Sequence, residues 1–320
     1  SYEGSTLGVY ALDRTQMLGG NPATFQRFSI SSLTPQSGFR STRILPADLD
    51  GTVVPPSGSP NYFFRPVEAV QDISNPVDRL EVYEFDVDWV TPANSTFMLV
   101  QTLTPGNFTL VTCTGSPPRN CIPQPGTTQL LDALSGRPMH RLQYRNFGSH
   151  QTLLTNQTVD AGSNVAGVLF WELRKTGTSW SIFQQGTYSP DSNGRWMGSI
   201  AMDGDGNMAA GYSVSSSSVF PGIRYTGRLA IDPSGTLPQG ENTIINGTGV
   251  QVGSRWGDYS AMSIDPADDC TFWYTQQYMP ASGLWQTRVA SFSFAECGQL
   301  PVVHDCVIDA QLDGSLTGPF

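Results

Sequence analysis

The sequence is poor in charged residues, and the basic residues are fewer than the acidic ones. Charged residues make up 14% of the chain, with 17 lysine and arginine residues against 27 aspartate and glutamate residues, which leaves a formal net charge of −10. Nucleic-acid binding depends on clustered lysine and arginine side chains that neutralise phosphates, and the sequence has no such cluster. The composition therefore predicts that the protein has no nucleic-acid partner.

Long apolar runs are also missing. No stretch reaches the roughly 18 consecutive apolar residues of a membrane-spanning helix, so we expect no membrane insertion. The first residues, Ser1–Gly4, have neither the charged nor the apolar region of a signal peptide. An acidic, weakly charged surface is common among exported proteins. We therefore expect a secreted protein, extracellular or at the cell surface, whose signal peptide has been removed or lies outside this sequence.

Helical periodicity is absent as well, whereas turn-forming and aromatic residues are abundant. The 33 glycines and 23 prolines favour short elements joined by turns, and 7 Trp, 11 Tyr and 16 Phe can supply a core. Between Tyr83 and Trp89, apolar side chains alternate with the carboxylates of Glu84, Asp86 and Asp88. This is the period-2 pattern of a half-buried strand. We therefore predict an all-β fold with minimal helix.

Two segments of the sequence repeat each other. Arg195–Asp203 (RWMGSIAMD) is similar to Arg255–Asp265 (RWGDYSAMSID), which begins 60 residues later. Each copy continues with a turn, an aromatic strand, a loop rich in Ser, Gly and Pro, and a strand that carries a Thr and an Arg; a weaker third copy begins at Arg141. Repeats of this period, each forming a small antiparallel sheet, predict the blades of a β-propeller. A two-sheet β-sandwich with fortuitous similarity is the alternative.

The repeated region resembles a group of large secreted microbial proteins that have sialidase-like β-propellers of the BNR, or Asp-box, type. The resemblance rests on Arg195–Phe294, with the motifs RWMGSIAMD, GYSVSSS, RYTGR, IINGTG, RWGDYSAMSID and DDCTFWYT. It extends to the runs Gly8–Arg14, Gly58–Phe63 and Tyr144–Gly148. The resemblance implies a propeller fold and export, and it carries no assigned activity.

These patterns predict the organisation of the chain. Residues 1–300 are expected to form a β-propeller of four-stranded antiparallel blades, with about five whole or partial blades. Ser1–Ile30 corresponds to the last two strands of a blade, so the first blade is expected to be partial. Residues 301–320 are expected to form a C-terminal extension, a closing strand or a linker. A ring that is incomplete within this chain, and is completed by another segment or chain such as a separate N-terminal fragment, follows as a hypothesis.

The five cysteines predict two disulfides and one cysteine without a partner in the chain. Cys113 and Cys121 flank a turn-rich loop, Cys270 ends a turn, and Cys297 follows a strand-like run. We expect the pairs Cys113–Cys121 and Cys270–Cys297, since neither spacing resembles a C-x-x-C metal or redox site. Cys306 is then a free thiol or bridges to another chain. Four sequons are compatible with an exported glycoprotein; they are Asn94, Asn107, Asn156 and Asn246.

Arginines at the repeat positions are candidates for ligand binding. The innermost strand of each blade lines the channel of a propeller, and sialidases hold a substrate carboxylate with three arginines, whose planar guanidinium groups suit it. Arg145, Arg195 and Arg255 occupy similar positions in the repeats, and with Asp258 and Tyr259 they form the predicted ligand site. The alternative is structural, with each arginine tying neighbouring blades together. No catalytic Tyr–Glu pair can be assigned, so no catalytic residue is predicted.

Other motifs are weaker. The run Asp203–Asn207 resembles a calcium loop, with Asp203, Asp205 and Asn207 as ligands of a structural Ca²⁺, but Met208 and Val214 replace the Gly and Glu of an EF-hand. A Gly-rich hairpin turn is the favoured interpretation, and no other cofactor is predicted. The sequence has no H-E-x-x-H and no G-x-S-x-G motif. Five aromatic residues are candidates for sugar stacking or for the core between blades: Trp171, Trp180, Trp273, Tyr274 and Trp285.

Two functions follow from these observations. The first is a secreted or cell-surface propeller that acts in binding or assembly, as an adhesin-like, lectin-like or sheath-like structural module, with a protein, a copy of itself or a glycan as its partner. The alternative is a glycan-active enzyme, a sialidase-like glycoside hydrolase, with its site at the mouth of the propeller channel.

Overall fold

The protein is built almost entirely of β-strands. The computed structural model describes residues 2–3, 6–31, 33–34, 43–113, 119–281 and 283–298, and the predicted extension at 301–320 and Cys306 lie outside them. Helical structure in these residues is limited to α1 (Arg14–Leu18) and the single 3₁₀ turns Ala69–Gln71 and Pro92–Asn94. The strands are β1 (Tyr2–Glu3), β2 (Thr6–Leu12), β3 (Phe25–Ser31), β4 (Leu45–Leu49), β5 (Asn61–Val67), β6 (Arg79–Asp86), β7 (Thr96–Leu103), β8 (Asn120–Ile122), β9 (Leu131–Asp132), β10 (Pro138–Asn146), β11 (Gln151–Asp160), β12 (Ala166–Thr176), β13 (Ser179–Tyr188), β14 (Gly194–Met202), β15 (Met208–Ser215), β16 (Gly222–Arg228), β17 (Asn242–Ile245), β18 (Ala261–Ile264), β19 (Phe272–Tyr278) and β20 (Gln286–Phe292).

The strands form successive antiparallel meanders, which we number as blades. Blade 1 is β1–β3, blade 2 is β4–β7, blade 3 is β10–β13, blade 4 is β14–β17 and blade 5 is β18–β20, and the ribbon β8–β9 stands apart from them. Blades 2 and 3 are joined through a parallel pair of their first strands, in which Ala47–Leu49 of β4 lie beside Leu142–Tyr144 of β10. Successive small antiparallel meanders of up to four strands, packed face to face, are the blades of a β-propeller. This topology confirms the predicted fold class.

Apolar side chains fill the spaces between consecutive blades. Strand alternation sends neighbouring residues to opposite faces of a sheet, so a blade between two others has two apolar faces. In blade 2, for example, Phe63 and Phe85 pack toward blade 1, whereas Phe64 packs on Trp171 of blade 3. Blades 3 and 4 meet through Phe170 and Tyr212 with their neighbours. Blades 4 and 5 meet through Ile223, Phe272 and Tyr274 with theirs. The core is therefore a series of layers between sheets.

The two terminal blades each leave one face uncovered by any described residue. In blade 1, Leu12 and Phe25 are cross-strand partners on the face away from blade 2, and both are exposed. In blade 5, Trp273 and Val289 are exposed on the face away from blade 4. Completion of the ring by another segment or chain stays a prediction.

The two copies of the sequence repeat adopt similar backbone conformations and are hydrogen-bonded to each other. Trp196 and Trp256 occupy matching positions, and each is followed by a residue with a left-handed backbone, Met197 at φ 51° and Gly257 at φ 52°. The Oγ of Ser260 donates to the carbonyl oxygen of Met197 at 2.9 Å, which binds the two copies to each other.

The third copy of the repeat lies in β10, and its bulge places it in a different register from the copy in β14. A bulge in β14 falls between Trp196 and Ser199, and the corresponding bulge in β10 falls between Met139 and Gln143. Counting from the bulges, Arg145 aligns with Ala201 rather than with Arg195. The expectation that these two arginines hold equivalent positions is therefore wrong, because a bulge shifts the strand without leaving a visible gap in the sequence.

Both predicted disulfides are confirmed. Cys113 is bonded to Cys121, and Cys270 is bonded to Cys297, which ties the turn between β18 and β19 to the segment after β20. Disulfides of this kind are typical of proteins in oxidising compartments, and no helix among the described residues is long and apolar enough to cross a membrane. The two disulfides are consistent with a secreted protein.

One of the four glycosylation candidates is buried. Asn94, Asn107 and Asn246 are exposed, whereas Asn156 lies in the middle of β11 with no exposed surface. A Cβ added to Gly198 would lie 2.6 Å from the Oδ1 of Asn156, so the amide has no space around it. A glycan on Asn156 is incompatible with this fold, and its prediction as an acceptor is corrected.

Candidate ligand-binding cleft

Arg195 is buried in blade 4 and fully engaged by protein groups. Its Nε donates to Glu241 Oε1 at 2.6 Å, and its Nη1 donates to Asp191 Oδ1 at 2.6 Å and to the Asn193 carbonyl at 2.9 Å. Its Nη2 donates to the second oxygens of Asp191 and Glu241. These bonds hold the pKa of Asp191 well below its usual range. A guanidinium has five N–H donors, so none is left for a ligand, and the geometry favours the structural interpretation.

Arg145 lies at the other end of the first strands. Its guanidinium pairs with Asp269, in the turn between β18 and β19, and the carbonyl of the same aspartate accepts the Gly204 N–H at 2.8 Å. Gly204 follows the last residue of β14 by two positions, whereas Arg195 is the second residue of that strand. Arg145 aligns with Ala201, six positions after Arg195, so at about 3.3 Å per residue the two arginines are separated by roughly 20 Å along the strand. They cannot grip one carboxylate together.

Arg255 belongs to a third location, an open cleft on blade 5. It is 66% exposed at its side chain and pairs with Asp258. The cleft has a volume of about 380 Å³, and the loop 251–259 forms one wall. Its lining consists of Gln251, Arg255, Trp256, Gly257, Asp258, Tyr259, Thr275, Gln276, Gln277, Trp285 and Thr287. Three of the five predicted ligand residues, namely Arg255, Asp258 and Tyr259, therefore meet in one site, and the other two lie elsewhere.

The floor of the cleft follows from strand alternation in β19. Phe272 and Tyr274 point into the layer between blades 4 and 5. Thr275 and Gln277 therefore point away from blade 4, and Gln277 is opposite Thr287 of β20. The cleft thus lies on the uncovered face of blade 5.

The wall of the cleft is anchored by a buried tryptophan. Trp256 packs against Trp196 with ring centroids 6.0 Å apart, and its Nε1 donates to the Oγ of Ser213 at 2.9 Å. The next residue, Gly257, has a left-handed backbone and donates its N–H to Gln277 Oε1 at 3.1 Å. This turn directs the side chains that follow, Asp258 and Tyr259, toward the cleft.

Two aromatic rings at the cleft are open to solvent. Tyr259 is 90% exposed and Trp285 is 56% exposed. Of the other aromatic candidates, Trp171, Trp180 and Tyr274 are buried in the layers between blades, so for them the structural alternative is confirmed. Trp273 is exposed on the same face of blade 5 but does not line the cleft. Large exposed aromatic side chains beside polar groups are suited to a ligand with both an apolar face and hydroxyl groups.

Asp258 is the only acidic residue in the lining of this cleft. Its Oδ2 accepts from Arg255 Nη2, and its Oδ1 is buried without a hydrogen-bond partner among the described residues. A buried acceptor without a donor is unfavourable by about 1–3 kcal/mol. A ligand hydroxyl that donates to Asp258 Oδ1 would remove that cost.

Three other carboxylates are occupied by protein groups. Asp50 accepts from Arg141 at 2.7 Å and from the Nε2 of Gln143 at 2.7 Å. Glu84 pairs with Lys175 at 3.3 Å. Asp88 accepts the N–H groups of two residues in the loop after β6. These groups support strands and turns.

The run Asp203–Asn207 forms a hairpin turn between β14 and β15. The carboxylate of Asp203 is buried and accepts the N–H of Asp205 at 3.0 Å and both the N–H and the Nδ2 of Asn207 at 2.9 Å. Burial raises the pKa of Asp203 to about 6. Asp205 accepts the N–H of Gly298 at 2.8 Å. The described part of the chain contains no group of three or more metal-ligating side chains. This geometry favours the hairpin-turn interpretation over the calcium loop.

The sequence analysis missed the amide side chains of the cleft. Gln251 and Gln277 carry no motif, and they reach the cleft through the loop conformation and the alternation of β19, whereas the buried Gln276 borders the cleft from the opposite side of the strand. The available signal was the period-2 pattern in residues 272–278, which separates the two faces but does not show which face stays open.

No protein-family model matches the sequence, and no curated protein matches it. Among solved structures, the xylan β-1,4-xylosidase from Bacillus halodurans is 9% identical with a TM-score of 0.36, over 78% of this chain and 40% of the xylosidase.

Two further solved structures are similar at the same level. The GH93 α-L-arabinofuranosidase of Fusarium graminearum with arabinobiose is 11% identical with a TM-score of 0.34, over 86% of this chain and 83% of that one. A protein of unknown function from Dyadobacter fermentans is 10% identical with a TM-score of 0.33, over 92% of this chain and 77% of that one. The propeller assignment rests on the strand order, and these similarities carry no evidence about activity.

Proposed function

We propose that this protein is a glycan-binding β-propeller and that the cleft on blade 5 is its binding site. The observation that carries the proposal is the pairing of two exposed aromatic rings, Tyr259 and Trp285, with hydrogen-bonding side chains in one cleft. Sugar rings have apolar C–H faces that stack on aromatic rings, and their rims carry hydroxyl groups that donate and accept hydrogen bonds. The cleft offers partners for both.

The size and chemistry of the cleft support the same proposal. Its volume of about 380 Å³ falls in the usual range of small-molecule sites, about 300–1,000 Å³. The amides of Gln251 and Gln277 contribute both donors and acceptors, whereas the buried amide of Gln276 is bonded to the backbone at Met197 and Gln277. The two disulfides are consistent with an extracellular location, where glycans are abundant ligands.

Isothermal titration calorimetry with a panel of neutral and acidic oligosaccharides tests the proposal. For any oligosaccharide that binds the native protein, Trp285→Ala and Tyr259→Ala should each weaken binding about tenfold or more, the effect of losing roughly 1.4 kcal/mol. Trp273→Ala is the matched control, since it removes an exposed tryptophan from the same face of blade 5 outside the cleft. Binding that is insensitive to Trp285→Ala, or a protein that binds no member of the panel, would contradict the proposal.

Glycoside hydrolysis is the second candidate function. It is favoured by one observation, the unpartnered Oδ1 of Asp258 in the lining of the cleft, since a carboxylate oxygen without a donor can accept a hydrogen bond from a substrate that displaces the side chains covering it. Glycosidases generally use two carboxylates, and Asp258 is the only acidic residue in the lining. Binding without turnover is therefore the function that the geometry supports best.

Reducing-end release from the same oligosaccharides separates the two candidates. Turnover by the native protein that disappears in Asp258→Asn would establish hydrolysis at this cleft. Binding without any release of reducing ends would establish a binding module.

A further inference from the structure

We infer that the ligand of the cleft is an uncharged glycan, held by the Arg255–Asp258 pair through adjacent hydroxyl groups. This inference rests on the proposed glycan-binding function and names its ligand class. It departs from the expectation of an acidic sugar, for which three arginines would have to converge.

The first argument is the absence of unpaired charge in the lining of the cleft. Its lining contains one cationic side chain, Arg255, and one anionic side chain, Asp258, and the two are paired with each other. Arg145 and Arg195 are committed to Asp269 and to Asp191 with Glu241, outside the lining. A sugar carboxylate would find no uncompensated positive charge in the cleft, and the chain as a whole carries a net charge of −10. Anionic ligands are therefore disfavoured, both locally and at long range.

The second argument concerns the hydrogen-bonding groups of Arg255 and Asp258 that their mutual ion pair does not use. Asp258 Oδ1 has no partner among the described residues. On Arg255, the Nη2 atom is bonded to Asp258, and its exposed side chain turns further N–H groups to solvent. An acceptor and a set of donors placed side by side match two neighbouring hydroxyls, because a hydroxyl can donate to one group and accept from the other. A carboxylate ligand has acceptors only and would be repelled by Asp258.

The aromatic rings complete the assignment. Trp285 and Tyr259 offer apolar faces within the same cleft as the ion pair. A neutral sugar can therefore place a C–H face on a ring while its hydroxyl edge meets Arg255 and Asp258. A purely apolar ligand such as a lipid chain would satisfy the rings and leave Asp258 Oδ1 without a donor, so the combination favours a ligand that has both an apolar face and hydroxyl groups, as a sugar does.

The test compares uncharged and acidic oligosaccharides of equal length in calorimetry: cellotetraose, xylotetraose and maltotetraose against tetragalacturonic acid. The native protein should bind at least one neutral tetrasaccharide, with an affinity that changes little between about 50 and 500 mM salt, because no ionic contact is screened. Asp258→Asn should weaken this binding about tenfold or more through the lost charge-assisted hydrogen bond. The same variant leaves Arg255 uncompensated, so it should gain affinity for tetragalacturonic acid, and that gain should fall at high salt.

Two further variants control for the change of charge and for a possible failure of Asp258→Asn to fold. Asp86→Asn makes the same change of charge at an exposed position on β6, and it should leave both affinities unchanged. Arg255→Gln alters an exposed side chain and should weaken neutral binding without creating acidic binding. It replaces Asp258→Asn if that variant fails to fold by circular dichroism.

The possible failures can be told apart. Tight, salt-sensitive binding of tetragalacturonic acid by the native protein would overturn the inference, while loss of that binding in Trp285→Ala would leave the proposed function standing. Failure of all four tetrasaccharides to bind would count against the inference and the proposed function together.

Discussion

Trp196 and Trp256, the tryptophans at matching positions of the internal repeat, pack ring against ring with centroids 6.0 Å apart and planes inclined at 38°. The contact joins blade 4 to the loop 251–259 and fixes the wall of the cleft. A repeat that was visible in the sequence is thus also a physical connection between the repeated units.

Replacement of Trp256 should destabilise the protein and disorder the cleft. Trp256→Ala removes a buried ring and is expected to lower the free energy of unfolding by about 3–5 kcal/mol. Trp256→Phe keeps most of the ring and loses the bond to Ser213 Oγ, so it should cost less. Urea denaturation measures both values. Trp273→Ala, at an exposed tryptophan, should change stability by much less, and a similar loss in that control would argue against the buried contact.

Gly211 should not tolerate a side chain. A Cβ at this position in β15 would enter the ring of Tyr274, which lies in the layer between blades 4 and 5. Overpacking of this kind typically costs about 1–3 kcal/mol, so Gly211→Ala should lower the thermal midpoint. Gly253→Ala is a suitable control, because its nearest neighbour, an atom of Gln251, is 3.9 Å away. Equal midpoints for the two variants would contradict the packing described here.

Substitution of Arg195 distinguishes a structural arginine from a ligand-binding one. Arg195→Met leaves Glu241 with Arg224 as its remaining cation and removes the hydrogen bonds of the buried guanidinium to the half-exposed Asp191, so it is expected to cost about 1–3 kcal/mol. Below the unfolding transition, glycan affinity measured by calorimetry should equal that of the native protein. A loss of affinity in a variant that is folded by circular dichroism would restore Arg195 as a ligand residue.

The pH dependence of stability should report the buried carboxyl of Asp203. Burial raises its pKa to about 6 in the folded protein, above its value of about 3.9 in the unfolded chain. The folded state therefore holds the proton more tightly. The resulting stabilisation is fully present below the unfolded pKa and is lost as the pH rises through 6. By linkage, the contribution amounts to at most about 3 kcal/mol.

Asp203→Asn isolates this contribution from other titrating groups. Between about pH 4 and pH 7, the native protein should lose stability with rising pH relative to the variant in urea denaturation. Parallel pH profiles for the two proteins would show that the pKa of Asp203 is not raised by folding.

Glycosylation should follow exposure. After secretion from a eukaryotic host, glycopeptide mass spectrometry should find occupancy among Asn94, Asn107 and Asn246 only, because Asn156 is buried in β11. A glycan on the peptide that contains Asn156, in folded material, would contradict the position of this strand.

Much of the fold could be predicted from local pattern. Alternation in residues 83–89 predicted the existence of strand β6, which ends earlier, at Asp86, and the repeat predicted the blades. The turn-flanked cysteines predicted both disulfides. These features depend on residues close in sequence or on a repeated unit, so short-range rules are sufficient for them.

The site could be predicted only in part. Arg255, Asp258 and Tyr259 were found because they lie within one loop, whose members stay together however the blades are arranged. Arg145 was placed with them wrongly, since the bulges in β10 and β14 shift its register relative to Arg195.

The sequence by itself determined which side chains share a face of each strand, where the turns fall and which segments repeat. Only the tertiary structure decided which of those faces are covered. Trp171 and Tyr274 are buried because a neighbouring blade packs on their face, whereas Trp285 and Tyr259 remain exposed because no described residue covers that side of blade 5. Burial depends on contacts between segments far apart in the chain, and strand alternation carries no information about them.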